Sequence, residues 1–518
     1  MQAMQTTWLD SVLASVPIVL VLVLMAWARW SAFRAGVAGW AVALVVAVWR
    51  FGAGVDLVVV SQVRALFLSL FVLYIIWPAL LLHHVVDEAG AVKAISVHVA
   101  HLTRDRLVQF LLLAWAFASF LQGVTGFGVP TAVAAPLLMG LGFTPTAAVV
   151  GTTLAHGWAV TFGSVASSFY ALLAVTGVSA ELLAGPSALV LGVACVGCGA
   201  VAAHVAGGWR GVARGLLFIL VVGGVMGAVQ YGMAVAGVWN LSAFGGGLAG
   251  LVVGSGLAAW GPFRGSGDPP DGRPAMPLRW ATAAYVILLA IFVTVALVPG
   301  LQERLNRVQI TVNLPAVATA RGWSVAAGPA RPISLFGHAG ALITLAALCS
   351  ALLYARRGAY APGAVGRVGR RVWRGGVRST TGILAMVGMA LLLDHSGMTF
   401  TLARGLADVV GAYLPAVAPF IGAVGAFMTG SNTNSNVVFG PLQVQMARLL
   451  GFNVATILAA QTGGGALGSS LAPAKLIVGV STTSLAGEEG HVFRAALGYG
   501  VLLIALVALV ATVMAWFG

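Results

Sequence analysis

The sequence predicts an all-α polytopic membrane protein with about 12 to 14 transmembrane helices, organised as inverted repeats that contain broken or re-entrant helices. Three observations predict this class: the composition, a series of long apolar runs, and two regions where such runs are interrupted. Hydrophobic residues make up 60% of the 518-residue chain and charged residues only 8%, whereas an ordinary soluble domain is about 25% charged. So few charges cannot cover a water-facing surface of that size, and the bilayer is therefore the expected solvent.

The long apolar runs are candidate spans, because a helix needs about 20 apolar residues to cross a bilayer. Two further regions, 107–170 and 414–484, are apolar but are interrupted repeatedly by Gly, Pro, Ser, Thr and Asn. Each of these two regions is expected to cross the membrane at least twice. Ten runs are uninterrupted, at residues 11–28, 35–49, 63–82, 185–205, 215–238, 243–260, 278–298, 335–354, 380–395 and 492–517.

The two interrupted regions resemble each other. Each has a first break, at 122–128 or 429–436, and a second break, at 157–168 or 462–470. Between its two breaks each region carries the tripeptide Leu-Gly-Phe. Arginine-rich loops indicate that the two regions are entered from opposite sides of the membrane. Similar broken elements of opposite orientation are typical of inverted-repeat secondary transporters, although two independent glycine-rich bundles are an alternative.

This reading divides the chain into six parts. Residues 1–106 form N-terminal spans and a cytoplasmic surface helix at 83–106. The remaining parts are a first broken-helix element at 107–184, connecting spans at 185–300, an external segment, a span, an Arg-rich loop and a further span at 301–400, a second broken-helix element at 401–490, and a C-terminal span at 491–518.

The net charge of +14 comes from arginines in short loops between apolar runs. Their positions argue against nucleic acid as a partner and predict contact with anionic membrane lipid. The loop at 355–380 has no acidic residue and is expected to be cytoplasmic, which places residues 300–334 outside. The arginines of that loop are Arg356, Arg357, Arg367, Arg370, Arg371, Arg374 and Arg378.

The breaks predict a binding site for a small anion. A broken helix exposes amide N–H groups at membrane depth, and the positive end of the helix dipole attracts a carboxylate. Hydroxyl, amide and glycine positions at the breaks are the candidate binding residues. They are Gln122, Thr125, Gly126, Gly128, Thr161 and Ser164 in the first region and Ser431, Asn432, Thr433, Asn434, Ser435, Asn436 and Thr462 in the second.

Few titratable residues lie in apolar surroundings. Lys475 is either a cation that faces an anionic substrate or a side chain that reaches to the membrane interface. His156 is either a ligand or proton contact or a hydrogen-bonded core histidine. Asp394 and His395 are candidates for proton coupling, or they lie in water at the edge of a span.

The sequence predicts no enzyme, no cofactor and no metal. It contains no H-E-x-x-H or G-x-S-x-G motif, and His98 and His101 have no evident third ligand in their loop. Whether the chain forms a homo-oligomer is left open.

At the same breaks, the sequence resembles the bacterial L-lactate permease family. The resemblance implies a secondary transporter of the bacterial inner membrane that takes up lactate, glycolate and similar 2-hydroxy monocarboxylates together with protons. An uncoupled facilitator, or a transporter of another small organic anion, is the alternative. The segments that carry the resemblance are 118–130, 134–143, 159–163, 429–436, 439–440 and 462–465.

The chain also departs from the pattern of that family. The family usually has a glutamate at the position of Gln122 and an aspartate at that of Asn432. It often has a lysine at the position of Ser469, a further expected binding position, whereas the lysine of this chain falls six residues later. His156 replaces what is commonly an asparagine. The resemblance therefore implies a divergent subgroup in which neither Gln122 nor Asn432 can carry the coupled proton.

Overall fold

The structure is a computed structural model that describes residues 7–26, 28, 30–126, 128–265, 274–481, 483 and 489–517. Phe127 and Ser484, which belong to the interrupted regions, lie outside these described residues. Within them, ten helices are long and apolar enough to cross a membrane, or up to eleven if the bent pair Pro145–Ala159 and Gly163–Thr176 is one span. The predicted polytopic helical class is confirmed.

The N-terminal half begins with two shorter spans and one long helix, and then enters the first interrupted region. Its helices are α1 Trp8–Ala26, α2 Ala32–Trp49, α3 Val55–Glu88, α4 Ala91–Ala100, α5 Arg106–Phe110, α6 Ala118–Val124, α7 Val129–Gly140, α8 Pro145–Ala155, α9 Gly163–Thr176, α10 Ala180–Val235, α11 Trp239–Ala258, α12 Gly261–Arg264, α13 Leu278–Ala281, α14 Ala283–Leu297 and α15 Leu301–Leu305. A π-helical turn at Leu111–Phe117 joins α5 to α6, so this path is one continuous helical rod.

Helix α10 combines two of the predicted spans. Its 56 residues are too long for one crossing, and the backbone is non-helical at Gly207 and Gly208. Gly208 has a φ of +62°, which a residue with a Cβ rarely adopts. Counting the two arms separately gives eleven spans in the described residues, or twelve if the bent pair is also a span, and only the larger number reaches the predicted range.

The C-terminal half contains the second interrupted region between longer helices. Its helices are α16 Ala339–Arg356, α17 Ala364–His395, α18 Met398–Val410, α19 Leu414–Thr429, α20 Asn432–Leu450, α21 Val454–Leu471, α22 Pro473–Ser481 and α23 Glu489–Phe517.

A β-hairpin, which the sequence did not predict, fills the segment before α16. Its strands pair antiparallel as nested ladders of two residues each. The hairpin tip contacts the turn between α2 and α3, where Ala320 N donates to Gly52 O at 2.9 Å. It also contacts the first turn of α1, where Arg321 pairs with Asp10 at 3.0 Å. The strands are β1 Gln309–Ile310, β2 Asn313–Leu314, β3 Val317–Ala318, β4 Ser324–Val325, β5 Gly328–Pro329 and β6 Ile333–Ser334.

Two polar segments differ from the prediction, one in its secondary structure and the other in its burial. The second half of the Arg-rich segment is not a loop, because α17 already begins at Ala364. Arg367 pairs with Glu88 at 2.6 Å and Arg371 pairs with Asp87 at 3.2 Å, which fixes this extension against the end of α3. The segment 83–106, expected to be a surface helix, starts as the last turn of α3 and continues as α4, in which seven of ten residues are buried.

Both interrupted regions contain a helical hairpin around the Leu-Gly-Phe motif. Gly142 joins α7 to α8 with a φ of +83°, and Gly451 joins α20 to α21 with a φ of +75°. The next helix is capped in each case by a side chain, since Thr144 Oγ1 accepts from Ala147 N at 3.3 Å and Asn453 Oδ1 accepts from Ala455 N at 2.9 Å. The order of helix, break, hairpin, break and helix is thus the same in both regions, and their opposite orientation stays a prediction. The second break of the second region was predicted at 462–470, but it lies at Ala472 and Pro473, because those predicted residues are part of the continuous helix α21.

Candidate functional site

The first break follows α6 and is a tight turn that needs two glycines. Gly126 and Gly128 have φ values of +77° and +82°, a conformation that glycine adopts without steric cost. Ser164 Oγ donates to Thr125 O at 3.2 Å, and a Cβ on Gly126 would overlap Ser164 Oγ. The two breaks of the first region are therefore packed directly on each other.

The second break of this region contains a run of left-handed residues that are not glycine. Ser164, Val165 and Ala166 have φ values of +48°, +56° and +62°, and all three are buried. Each left-handed residue with a Cβ costs about 1–2 kcal/mol. Such a conformation persists only where the surrounding packing holds it, and this kind of strain clusters at functional sites.

Gln122 lies between these two breaks. It is buried, and a Cβ on Gly163 would lie 2.7 Å from Gln122 Nε2. Among the described residues, Gln122 Oε1 has no hydrogen-bond donor. A buried polar atom without a partner costs about 1–3 kcal/mol, so this oxygen can accept a hydrogen bond from a ligand or water at net benefit.

The first break of the second region is a short turn between the end of α19 and the start of α20. Gly430 ends α19 with a φ of +70°, and Thr429 Oγ1 donates to Ser431 O at 3.0 Å. Ser431 Oγ then caps α20 by accepting from Asn434 N at 3.3 Å. The first turn of α20 is a row of buried amide and hydroxyl side chains, from Asn432 to Asn436.

The two regions meet at a cluster of six polar residues that we call the polar junction. Thr462 Oγ1 of α21 is its centre, because it contacts Thr161 Oγ1 at 3.1 Å, Asn432 Nδ2 at 3.3 Å and Asn436 Nδ2 at 2.9 Å. The first region also contributes Ser168, whose Oγ lies 2.9 Å from Thr433 Oγ1. The polar junction consists of Thr161, Ser168, Asn432, Thr433, Asn436 and Thr462.

Some donors and acceptors of the polar junction are available for a ligand. The Oδ1 atoms of Asn432 and Asn436 have no donor within the part of the chain that the structure describes. A Cβ on Gly465 would overlap Asn432 Oδ1, so only glycine leaves room for that oxygen. The first N–H groups of a helix have no intrahelical acceptor, and Ser431 caps only that of Asn434, which leaves those of Asn432 and Thr433 for a ligand.

Two predicted residues of the same turn face away from the polar junction. Ser435 Oγ donates to Gly422 O at 2.7 Å and accepts from Gln461 Nε2 at 3.2 Å, which ties α20 to α19 and α21. Asn434 lines a small cavity on the side of α17, together with Met386 and Met389.

Lys475 lies one turn beyond the break that separates α21 from α22. Its side chain is only 9% exposed, and Nζ donates to Ser469 Oγ at 3.0 Å. Its ammonium group thus stands beside Ser469, the position at which the resembling family often carries a lysine. The bend at Ala472 and Pro473 brings the two residues together although six positions separate them.

His156 ends α8 on the same side as Lys475. Its Nδ1 lies 2.6 Å from Thr152 O, whereas Nε2 has no partner among the described residues. The next residue packs against the end of α21, since a Cβ on Gly157 would lie 3.0 Å from Ser470 Oγ. The segment from Gly157 to Thr161 therefore runs beside α21 between Lys475 and the polar junction.

Asp394 and His395 lie apart from these groups. They end α17, and no hydrogen bond joins either residue to the polar junction in the described ranges. His395 is buried and Asp394 is half-buried.

Three residues in these contacts were not among the predicted binding residues. Ser168 bonds to Thr433, and Gln461 links Ser435 to Gln443 through bonds of 3.2 Å each. Gln461 directly precedes Thr462, and a buried glutamine beside a break is a signal that could have identified it. Gln443 stands in an apolar helix without such a signal.

Comparison with known proteins shows one family along nearly the whole chain. A family model described as L-lactate permease matches residues 10–517. The L-lactate permease of Bacillus subtilis is 26% identical over 97% of this chain and 95% of its own length. The glycolate permease GlcA of Escherichia coli is 24% identical over 98% of this chain and 96% of its own length.

A solved structure described as the Alcanivorax borkumensis YdaH transporter covers 87% of this chain and 86% of its own, at 16% identity and a TM-score of 0.49. The match of the family model extends from the start of α1 to the end of α23 and includes both broken regions and the polar junction between them. The chain therefore belongs to the L-lactate permease family and is a multi-pass membrane protein.

Proposed function

We propose that this protein is a secondary transporter of lactate, glycolate or a similar 2-hydroxy monocarboxylate in a bacterial inner membrane, and that it binds this anion between the polar junction and Lys475. Its family, together with relatives that are an L-lactate permease and a glycolate permease, supports the substrate class. The site itself is supported by one observation: the two broken regions meet at buried asparagines whose Oδ1 atoms have no donor among the described residues.

The chemistry of the polar junction suits a 2-hydroxy acid. The uncapped N–H groups of Asn432 and Thr433 lie at the positive end of α20, where a carboxylate is stabilised. The unpaired Oδ1 atoms of Asn432 and Asn436 can accept from the 2-hydroxyl group. Because a hydroxyl group donates only one hydrogen bond, a monocarboxylate without it would leave one more of these oxygens buried and unpaired, at a cost of about 1–3 kcal/mol.

Lys475 supplies the positive charge. It lies about 10 Å along α21 from Thr462, because seven residues of helix separate Thr462 from Ser469 at 1.5 Å each. Burying an ammonium group inside a membrane protein costs free energy, so such a residue indicates a functional site. We place the substrate, or one stage of its passage, between this charge and Thr462.

Proton coupling belongs to the same proposal and requires a titratable group other than Gln122 and Asn432. His156 is the strongest candidate, since its Nε2 is buried without a partner among the described residues and it lies beside Lys475 and Gly157. Asp394 and His395 are further candidates, but they lie at the far end of α17.

A second candidate function is uncoupled, facilitated passage of the same anions or of another small organic anion. The amides at positions 122 and 432 favour it, because neither can exchange a proton. The two functions differ in whether the substrate accumulates. Only a coupled transporter raises the substrate concentration inside the cell or vesicle above its equilibrium value.

Uptake into proteoliposomes tests the proposal. Labelled L-lactate and glycolate should enter vesicles that contain the protein, and an inward proton gradient should drive accumulation. Uptake that only equilibrates would select the facilitator. If neither acid enters, and no 2-hydroxy acid competes with a transported anion, the substrate assignment fails.

A further inference from the structure

A cluster of two histidines and one aspartate lies at the end of α3, far from the polar junction in the chain. It consists of His83, His84 and Asp87, whose potential ligand atoms all lie within 4.8 Å of one another. His83 is 8% exposed, and the Nδ1 atoms of both histidines are buried without a partner among the described residues. Two imidazole nitrogens left unpaired side by side are unusual, because buried polar atoms normally find a partner.

The remaining histidines of this neighbourhood behave differently. His98 Nε2 lies 3.1 Å from Met276 O, and His101 Nδ1 lies 2.8 Å from Val97 O. These two residues are thus satisfied by backbone oxygens, although they lie in the adjacent α4 segment. Of the four described histidines between residues 83 and 101, only His83 and His84 have a buried ring nitrogen without a partner among the described residues.

We propose that His83, His84 and Asp87 form a binding site for a divalent transition-metal ion of the Zn²⁺ type. Two imidazoles and one carboxylate are a standard three-ligand set for Zn²⁺, with water in the fourth position. Bonds of about 2.0–2.1 Å place tetrahedral ligand atoms about 3.3 Å apart. Atoms 4.8 Å apart would therefore have to approach each other by about 1.5 Å, through rotations of the side chains. His84 and Asp87 are half-buried, so the site is open to the surface of the protein.

Arg371 competes with the metal for Asp87. Its Nη1 lies 3.2 Å from Asp87 Oδ2 and 3.6 Å from Glu88 Oε2. A fixed positive charge next to a dication lowers the affinity for that ion. Metal binding and the Arg371–Asp87 pair therefore oppose each other, and the metal weakens one of the contacts that hold the arginine-rich extension of α17 against α3.

Zn²⁺ titration of the purified protein, with any affinity tag removed, tests the site. Isothermal titration calorimetry should show one saturable site per chain. His84→Ala should weaken binding at least about tenfold, because it removes one of three protein ligands. His83→Ala should do the same, but His84 is the better test because its half-buried side chain leaves a smaller cavity when it is removed.

The matched control is the double substitution His98→Ala with His101→Ala, which removes two nearby histidines and should leave the affinity unchanged. Arg371→Ala should raise the affinity about fivefold or more, since it removes the competing charge. Absence of saturable binding in the wild-type protein would overturn the proposal. An affinity that is lost in the control, or retained in His84→Ala with His83→Ala, would overturn it as well.

Discussion

The two broken regions have the same order of elements but contribute different things to the site. The first region contributes backbone geometry: three left-handed residues at 164–166 and a glycine turn that is packed against them. The second contributes side chains: Asn432, Asn436, Thr462 and Lys475 all come from α20, α21 and α22. Thr161 and Ser168 of the first region also belong to the polar junction, so the proposed site takes most, but not all, of its side chains from the second region. Substitutions in the second should therefore reduce substrate affinity, and substitutions in the first should mainly change stability.

The largest expected effect is that of Lys475→Ala, which should abolish uptake and binding of lactate and glycolate while the fold persists. The chain offers a matched control, because Lys93 is its only other lysine and is exposed on α4. Lys93→Ala should transport normally. The double exchange Ser469→Lys with Lys475→Ser moves the charge to the neighbouring residue, whose Oγ lies 3.0 Å from Lys475 Nζ. This variant should retain binding. Equal uptake in wild-type and Lys475→Ala proteoliposomes would remove this residue from the site.

The next largest effect is one of stability in the first region. Gly126→Ala should destabilise the protein by about 2–4 kcal/mol, because the new Cβ meets both an unfavourable φ and Ser164 Oγ. Gly177→Ala is the control: its φ is +68° but nothing lies within 4 Å, so only about 1–2 kcal/mol of backbone cost is expected. Thermal unfolding in detergent measures both. Equal losses would show that the two breaks are not packed on each other as described.

A smaller effect is expected for the centre of the polar junction. Thr462→Val removes the hydroxyl that contacts Thr161, Asn432 and Asn436, and should weaken lactate binding about tenfold. Thr462→Ser keeps the hydroxyl and should restore most of the affinity. Thr512→Val, which removes a bond to Ala508 O within α23, should leave binding unchanged. Affinity that tracks side-chain volume rather than the hydroxyl would contradict the role of this junction.

The smallest expected effect, again on stability, tests whether the left-handed backbone at 164–166 is strained. Ala166→Gly should stabilise the protein by up to about 1 kcal/mol, because glycine tolerates the left-handed φ of +62°. The same exchange at Ala171, in the regular part of α9, should destabilise by about 1 kcal/mol. If both substitutions lower the unfolding temperature equally, the segment at 164–166 carries no strain.

The sequence predicted the helices and most of the breaks, because both depend on local properties. The break predicted at 462–470 was wrong, because the glycines there are helical within α21 and the chain bends only at Ala472 and Pro473. Apolar runs have the length of the bilayer, and Gly, Pro and Asn mark their interruptions. The Leu-Gly-Phe turns were visible for the same reason. The β-hairpin was missed because its ladders have two residues each, too short for a recognisable alternation. The start of α17 was missed because it depends on ion pairs with α3, which no local pattern shows.

Contacts within the site depend on packing between distant segments. Thr161 and Thr462 are 301 positions apart, and Ser168 and Thr433 are 265 apart, so only the fold could join them. Val165 gave no warning of its left-handed backbone, since a β-branched residue strongly disfavours it. The position of the Lys475 ammonium beside Ser469 follows from the bend at Ala472, which the sequence showed only as a proline.

The most direct test of the account is whether the purified protein recognises the 2-hydroxyl group as well as the carboxylate. A ligand that binds the folded state raises the unfolding temperature by mass action. L-lactate and glycolate should raise it in the wild-type protein, propionate and acetate should raise it much less, and Thr462→Val should lose this difference. Equal shifts for hydroxylated and plain acids, or a discrimination that survives Thr462→Val, would contradict binding at the polar junction.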